Sequence, residues 1–122
     1  HRRLMRVYLL DFDGTLSILP CPCQWVEQKR AENPDDRFVL WTGNDPQTIA
    51  QRRPGLVQAV DLFWNKPLPL TEAFLLKGWS PSEVIVVDNS PGAGRLAGWM
   101  LRSLHLPIRV VGVGDFGDFF DD

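Results

Sequence analysis

The sequence predicts an α/β fold built on a mostly parallel sheet of five strands. Short apolar runs alternate along the chain with segments of helical character, which is typical of βα units. Two runs, Val7–Leu10 and Val84–Val87, are apolar throughout, as expected of buried strands. Several runs end in polar residues, and ligands of open α/β sheets bind beyond the carboxyl ends of the strands. The fold class therefore already indicates where a functional site should lie.

Each element follows from a local signal. The strands are predicted at about Arg6–Asp11, Arg37–Trp41, Ala59–Phe63, Val84–Val87 and Ile108–Val113. The helices are predicted at about Gln24–Glu32, Pro46–Arg53, Leu70–Lys77 and Ala93–Leu104. The first helix should stop before Asn33-Pro34, because a residue that precedes proline disfavours helix. Asn44 or Asp45 can cap the second helix, with Pro46 in its first turn. Gly78 is suited to end the third, and the last has apolar residues on one face at a 3.6-residue period.

Length and composition limit the protein classes. A chain of 122 residues with no repeat or linker fits a single domain, 1–122, with one hydrophobic core. No apolar run approaches the ~20 residues of a membrane span, and the N-terminus does not resemble a signal peptide. The net charge of −2 does not indicate nucleic-acid binding.

Other features concern the two ends and the cysteines. We expect residues 1–4 to be a flexible start, or one added ahead of a natural Met5, and residues 115–122 to be an acidic tail or packed terminus. Cys21 and Cys23 have no second pair of metal ligands nearby, so we interpret them as loop thiols of a reducing compartment. This favours a cytoplasmic protein.

The first strand ends in the most informative stretch, Asp11-Phe12-Asp13-Gly14-Thr15. Side chains alternate between the faces of a strand, but Gly14 permits a turn that lets both carboxylates address one site. Two carboxylates at one strand end repel each other unless a divalent cation lies between them, and oxygen ligands favour Mg²⁺ over zinc. A plain Asp-Gly turn is the alternative, and the preceding buried run makes it the weaker one.

Polar residues also follow the other strands. Thr42 follows the second, Lys66 the third, and Asp88-Asn89 the fourth. Each has an ordinary explanation, as a helix cap, a solvated lysine or a capping turn. At one sheet edge they would instead supply carboxylates for a cation, with a hydroxyl and an ammonium for phosphoryl oxygens.

In this order the residues resemble the four motifs of the haloacid dehalogenase (HAD) superfamily. The motifs are Asp11-Phe12-Asp13-Gly14-Thr15, Thr42, Lys66 within Lys66-Pro67-Leu68-Pro69, and Val86-Val87-Asp88-Asn89-Ser90-Pro91. The resemblance spans essentially the whole chain and implies a three-layer, Rossmann-like (HAD-like) fold. The stretches between Asp13 and Thr42 and between Thr42 and Lys66 leave no room for a cap domain, and capless relatives have open sites.

The resemblance implies a Mg²⁺-dependent phosphatase that hydrolyses a phosphomonoester through an aspartyl-phosphate. Asp11 would be the nucleophile and Asp13 the general acid and then base. Thr42 and the Gly43 amide would hold the phosphoryl group, and Lys66 would offset its charge. The Asp11 carboxylate, the Asp13 carbonyl and motif four would hold Mg²⁺. The substrate would be phosphorylated and could be macromolecular.

The fourth motif departs from many relatives. A further Asp is replaced by Gly92, and Asp88-Asn89-Ser90-Pro91 is similar to the carboxy-terminal-domain phosphatases, in which the Asn binds the metal. The sequence therefore leaves open whether Asp88 or Asn89 is the ligand. It also leaves open a non-catalytic or phosphotransferase HAD-like module, oligomerisation, and a phospho-receiver domain, although the order Asp, Thr, Lys, Asp argues against a receiver. Arg52 and Arg53 are expected at a solvated helix end.

Overall fold

A computed structural model describes residues 4–121 of the chain. Within them a five-stranded sheet has the order β3-β2-β1-β4-β5, and every pair of neighbouring strands is parallel. The strands are β1 (Arg6–Leu10), β2 (Arg37–Thr42), β3 (Leu62–Asn65), β4 (Glu83–Val87) and β5 (Ile108–Val111). The predicted α/β fold with its parallel five-stranded sheet is therefore confirmed.

The apolar runs that predicted β1 and β4 occupy the middle of the sheet. Leu10 of β1 pairs with Leu40 on one side and with Val87 on the other, and all three side chains are buried. Strands covered on both faces need apolar side chains at every position, which explains why these segments lack alternation. The edge strands β3 and β5 are only partly buried.

Helices cover both faces of the sheet and divide the core into two layers. They are α1 (Pro22–Glu32), α2 (Pro46–Arg52), α3 (Leu56–Ala59), α4 (Leu70–Lys77), α5 (Ala93–Met100) and α6 (Phe116–Asp121). Residues of α1, α2, α3 and α6 pack into one layer, and residues of α4 and α5 pack into the other. Among the described residues, no helix combines the length and apolar character that crossing a membrane requires.

The third strand begins later than predicted. Residues 56–59 form α3, and β3 starts only at Leu62. Gly55, with φ of 89°, turns the chain into that helix. Asp61 then bonds to both backbone groups of Phe38, accepting from its N–H through the side chain and donating to its carbonyl. The regular ladder therefore begins one residue further on.

The C-terminal segment is a packed helix. Phe116 and Phe120 of α6 are buried in the same layer as Val26 of α1, and the Trp25 indole donates to the Phe120 carbonyl over 3.0 Å. The acidic side chains of α6 lie on its other positions. The predicted flexible start falls largely on residues 1–3, and these, like Asp122, lie outside the described residues.

Two helices differ from the prediction in their bounds. Helix α5, predicted to run from Ala93 to Leu104, ends at Met100. Residues Arg102–Leu104 form a separate 3₁₀ turn that is followed by His105, with φ of 53°. The first helix begins two residues early, at Pro22, because proline is compatible with the first helical position.

Candidate functional site

The predicted site residues meet at the edge of the sheet where the parallel strands end. Asp11 directly follows β1, Thr42 is the last residue of β2, and Asp88 directly follows β4. Lys66 follows β3, and its backbone N–H donates to the Thr42 carbonyl over 2.9 Å. The topology thus collects residues that are up to 77 positions apart in the sequence.

Lys66 links two buried carboxylates. Its Nζ lies 2.8 Å from Asp88 Oδ2 and 3.3 Å from Asp11 Oδ1. Asp88 and Asp11 are only 2% and 7% exposed, so the lysine neutralises charges that water hardly reaches. The second oxygen of Asp88 accepts from the Ser90 N–H over 2.8 Å. Both Asp88 oxygens are therefore engaged within the protein.

Burial and charge shift the ionisation of this group. Burial, and then the neighbouring Asp88 charge, raise the pKa of Asp11 to about 6, although Lys66 acts in the opposite direction. Burial alone would lower the pKa of Lys66, but the hydrogen bond to Asp88 and the charge of Asp11 more than compensate, so the pKa lies above its usual value. A raised carboxyl pKa beside a charge partner is a common property of functional sites.

Asn89 lies against the first motif. One terminal atom of its amide is 2.9 Å from Asp11 Oδ2 and 3.0 Å from the Asp13 carbonyl oxygen. If this atom is the amide nitrogen, it donates to both oxygens. If it is the amide oxygen, three oxygen atoms face one another, and a cation between them would offset their repulsion. Asp88, by contrast, faces Lys66.

Thr15, in the first motif, contacts Asn89 of the fourth motif. It was not predicted as a site residue. Its side chain is fully buried, and its Oγ1 accepts from the Asn89 N–H over 3.2 Å and lies 3.5 Å from Asp11 Oδ2. The sequence pointed to a hydroxyl here, but only the fold shows that it faces Asn89.

Gly14 permits the close approach of Asn89. Its φ is 74°, and a Cβ at this position would come within 2.9 Å of Asn89 Cγ, with the end of the amide closer still. Glycine is therefore needed here for its backbone angle and for its missing side chain.

The Asp13 side chain turns towards the second motif and α2. Its Oδ2 accepts from Asn44 Nδ2 and its Oδ1 from Arg52 Nη1, each over 2.9 Å. The guanidinium of Arg52 also lies 5.0 Å from the centre of the Phe12 ring. Arg52 is exposed at the helix end, as expected, but its guanidinium is paired with Asp13. Arg53 differs from the expectation, because it is half-buried and donates to the backbone carbonyls of Ser17 and Leu19.

The expected phosphoryl-binding residues lie at the end of β2. Thr42 is 2% exposed, and its Oγ1 accepts from the Asn44 N–H over 3.0 Å. A hydroxyl that accepts one bond can still donate another. Gly43 is exposed, and a Cβ there would meet no atom within 4 Å. Gly43 thus lies on an open part of the site.

Trp41 packs in the core beneath Lys66. The Lys66 Nζ is 5.1 Å from the centre of its ring, which is fully buried. The Trp41 Nε1 has no hydrogen-bond partner among the described residues. A cation near an aromatic face is attracted to it, so Trp41 helps to hold the ammonium.

Comparisons with known proteins support the fold. No protein-family model matches the chain, and no curated protein matches it significantly. Two solved structures do match, both of the HAD domain of the effector protein Lem4 from Legionella pneumophila. The inactive mutant has a TM-score of 0.63 at 11% identity, and the match covers 98% of this chain and 92% of that one. The second structure has a TM-score of 0.62 at 13% identity, covering 97% and 92%. At such identities the likeness concerns the fold, and this chain has a HAD-like fold.

Proposed function

We propose that the chain is a Mg²⁺-dependent phosphatase that hydrolyses a phosphomonoester through an aspartyl-phosphate on Asp11. The observation that carries the proposal is the buried Asp11–Lys66–Asp88 group, with Asn89 against Asp11 and the Asp13 carbonyl. An ion pair with a purely structural role needs only Lys66 and Asp88. The additional carboxylate of Asp11, with its raised pKa and its place where the parallel strands end, favours a functional role.

The residues divide the chemistry between two steps. In the first, an Asp11 oxygen bonds to phosphorus, the ester P–O bond breaks, and Asp13 gives its proton to the leaving oxygen. In the second, a water oxygen bonds to phosphorus, the P–O bond to Asp11 breaks, and Asp13 takes the proton from the water. Thr42 and the Gly43 N–H would hold phosphoryl oxygens, and Lys66 would offset their charge.

The donor set suits Mg²⁺. No cluster of three or more His, Cys, Asp or Glu side chains that could hold a metal occurs in residues 4–121. The candidate donors are instead Asp11 Oδ2, the Asp13 carbonyl oxygen and the Asn89 amide oxygen, with separations of 2.9 and 3.0 Å from the amide. Neighbouring ligands of an octahedral Mg²⁺ at about 2.1 Å lie about 3.0 Å apart. The ion would neutralise negative charge on the phosphoryl group.

In this arrangement Asn89 is the metal ligand and Asp88 is the anchor of Lys66. Asp88 has one oxygen on Lys66 and the other on the Ser90 N–H, while Asn89 faces Asp11. The substrate would enter an open site, since the Asp13 and Arg52 side chains are 56% and 51% exposed. A phosphorylated macromolecule could reach such a site.

The test is Mg²⁺-dependent release of phosphate from an aryl phosphate by the parent and by Asp11→Asn. We expect activity that EDTA removes and that the variant lacks. Activity that survives in Asp11→Asn would overturn the mechanism, and a folded parent that binds Mg²⁺ but releases no phosphate would favour a non-catalytic module.

Metal binding separates the roles of Asp88 and Asn89 without an activity assay. Titration calorimetry with Mg²⁺ should show a loss of binding of about 10-fold to 100-fold in Asn89→Leu. Asp88→Asn keeps the shape of the side chain and should bind Mg²⁺ nearly as the parent does. The reverse result would assign the metal to Asp88.

A further inference from the structure

The Asp13 carboxylate is held by two donors that lie outside the motifs. Asn44 Nδ2 and Arg52 Nη1 each lie 2.9 Å from a different oxygen of the same carboxylate. Both donors come from the segment that follows Thr42, the last residue of the neighbouring strand β2. The contact therefore ties the loop after β1 to α2.

The two donors are themselves fixed in place. The Asn44 Oδ1 accepts from the Asp45 N–H over 2.8 Å, so the amide presents its nitrogen to Asp13. Arg52 is the last residue of α2, and its guanidinium carbon lies over the Phe12 ring, 5.0 Å from the ring centre. A cation–π contact of this kind favours one position of a long side chain, and Asp45, which caps α2, anchors the other end of the helix.

We infer that Asn44 and Arg52 are positioning residues that fix the direction of the Asp13 carboxylate. The inference rests on the proposed function, in which Asp13 must reach first the leaving oxygen and then the attacking water. Asp13 is more than half exposed, so without these donors several rotamers would be open to it. Misplacing a proton-transfer group by about 1 Å can cost about 100-fold in rate.

The two half-reactions make this role measurable. An aryl leaving group departs without a proton, so only breakdown of the aspartyl-phosphate depends on Asp13 with such a substrate. An alkyl phosphate needs Asp13 in both steps. A loss of direction should therefore affect the two substrates differently, whereas a loss of folded protein would affect them equally.

The experiment compares Arg52→Gln with the parent on an aryl and on an alkyl phosphate, with acid quenching to trap phosphorylated protein. With the aryl phosphate we expect kcat and KM to fall together by about 10-fold, kcat/KM to hold, and trapped aspartyl-phosphate to increase. With the alkyl phosphate we expect kcat/KM itself to fall by about 10-fold. Arg52→Lys should restore part of the loss, and Asn44→Asp, which places a second carboxylate against Asp13, should increase it.

Arg30→Gln is the matched control. Arg30 pairs with Asp61 over 2.8 Å and is 42% exposed, but this ion pair lies where the strands begin, at the opposite edge of the sheet. We expect parent kinetics from it. An active parent whose Arg52→Gln variant matches it on both substrates, or loses kcat/KM equally on both, would overturn the inference and leave the proposed function standing. A parent without phosphatase activity would overturn both.

Discussion

Gly14→Ala tests the contact between the first and fourth motifs. The substitution carries two separate costs. An alanine at φ of 74° costs about 1 kcal/mol through the backbone. Its Cβ would also come within 2.9 Å of Asn89 Cγ, so Asn89 must move and lose its contacts with Asp11 and Asp13. In EDTA, where the amide nitrogen of Asn89 can donate to these oxygens, loss of the two hydrogen bonds adds about 1–3 kcal/mol.

Gly78→Ala supplies the reference for the backbone cost. Gly78 has φ of 69°, and a Cβ there would meet no atom within 4 Å. We expect Gly78→Ala to lower the free energy of unfolding by about 1 kcal/mol, which is about 4 °C in Tm for a chain of this length. Gly14→Ala should cost about 2–4 kcal/mol.

Urea and thermal unfolding of both variants measure the difference, and a double-mutant cycle assigns it. In an Asn89→Ala background the side chain that meets the new Cβ is gone, so Gly14→Ala should cost only the backbone part, as Gly78→Ala does. Equal costs for Gly14→Ala and Gly78→Ala in the parent, or an unchanged cost in the Asn89→Ala background, would refute the reasoning.

Three further predictions concern charge and packing. Burial raises the folded pKa of Asp11 to about 6, above its ordinary value, so the stabilisation that this carboxyl contributes while protonated is lost as pH rises from about 4 to 6. In EDTA, the free energy of unfolding of Asp11→Asn should therefore exceed that of the parent by about 1–2 kcal/mol at about pH 8 and should equal it at about pH 4. A difference of the same size at both pH values would contradict this. Lys66→Met leaves two buried carboxylates without their cation and should lower the free energy of unfolding in urea by about 2–4 kcal/mol. An unchanged free energy of unfolding would mean that these ion pairs are solvated. Gly94→Ala places a Cβ 2.5 Å from Val110 Cγ2, whereas Gly98→Ala meets nothing nearer than 3.9 Å. We expect Gly98→Ala to raise Tm through about 0.5–1 kcal/mol of helix propensity and Gly94→Ala to lower it; equal shifts would mean that Val110 moves aside freely.

The sequence was most informative where one physical requirement dominated. Strands β1 and β4 could be predicted because burial on both faces demands apolar residues throughout. The helix Leu70–Lys77 was predicted to the residue because Gly78 takes the left-handed conformation that ends it. The third strand was predicted to begin at Ala59 but begins at Leu62, because Ala59 and Val60 are apolar and suit a strand as well as a helix end, and only pairing with β2 decides between them.

The site was predictable in its residues but not in its contacts. The motif order identified Asp11, Lys66 and Asp88, which the fold does bring together. The link from Asp13 to Arg52 spans 39 positions and depends on where α2 ends in space. No spacing rule in a single sequence expresses such a distance, and an arginine at a helix end usually points into solvent.

The arginine pair at the end of α2 has a consequence for motion. Arg52 holds Asp13, and Arg53, which directly follows α2, donates to the carbonyls of Ser17 and Leu19. Both ends of the segment after β1 are therefore bound to the C-terminal end of the same helix. Loop and helix should therefore open as a single cooperative unit, so their amide hydrogens should show the same free energy of opening in hydrogen exchange. Admission of a bulky substrate would then be a property of this joint body rather than of a loop that moves independently.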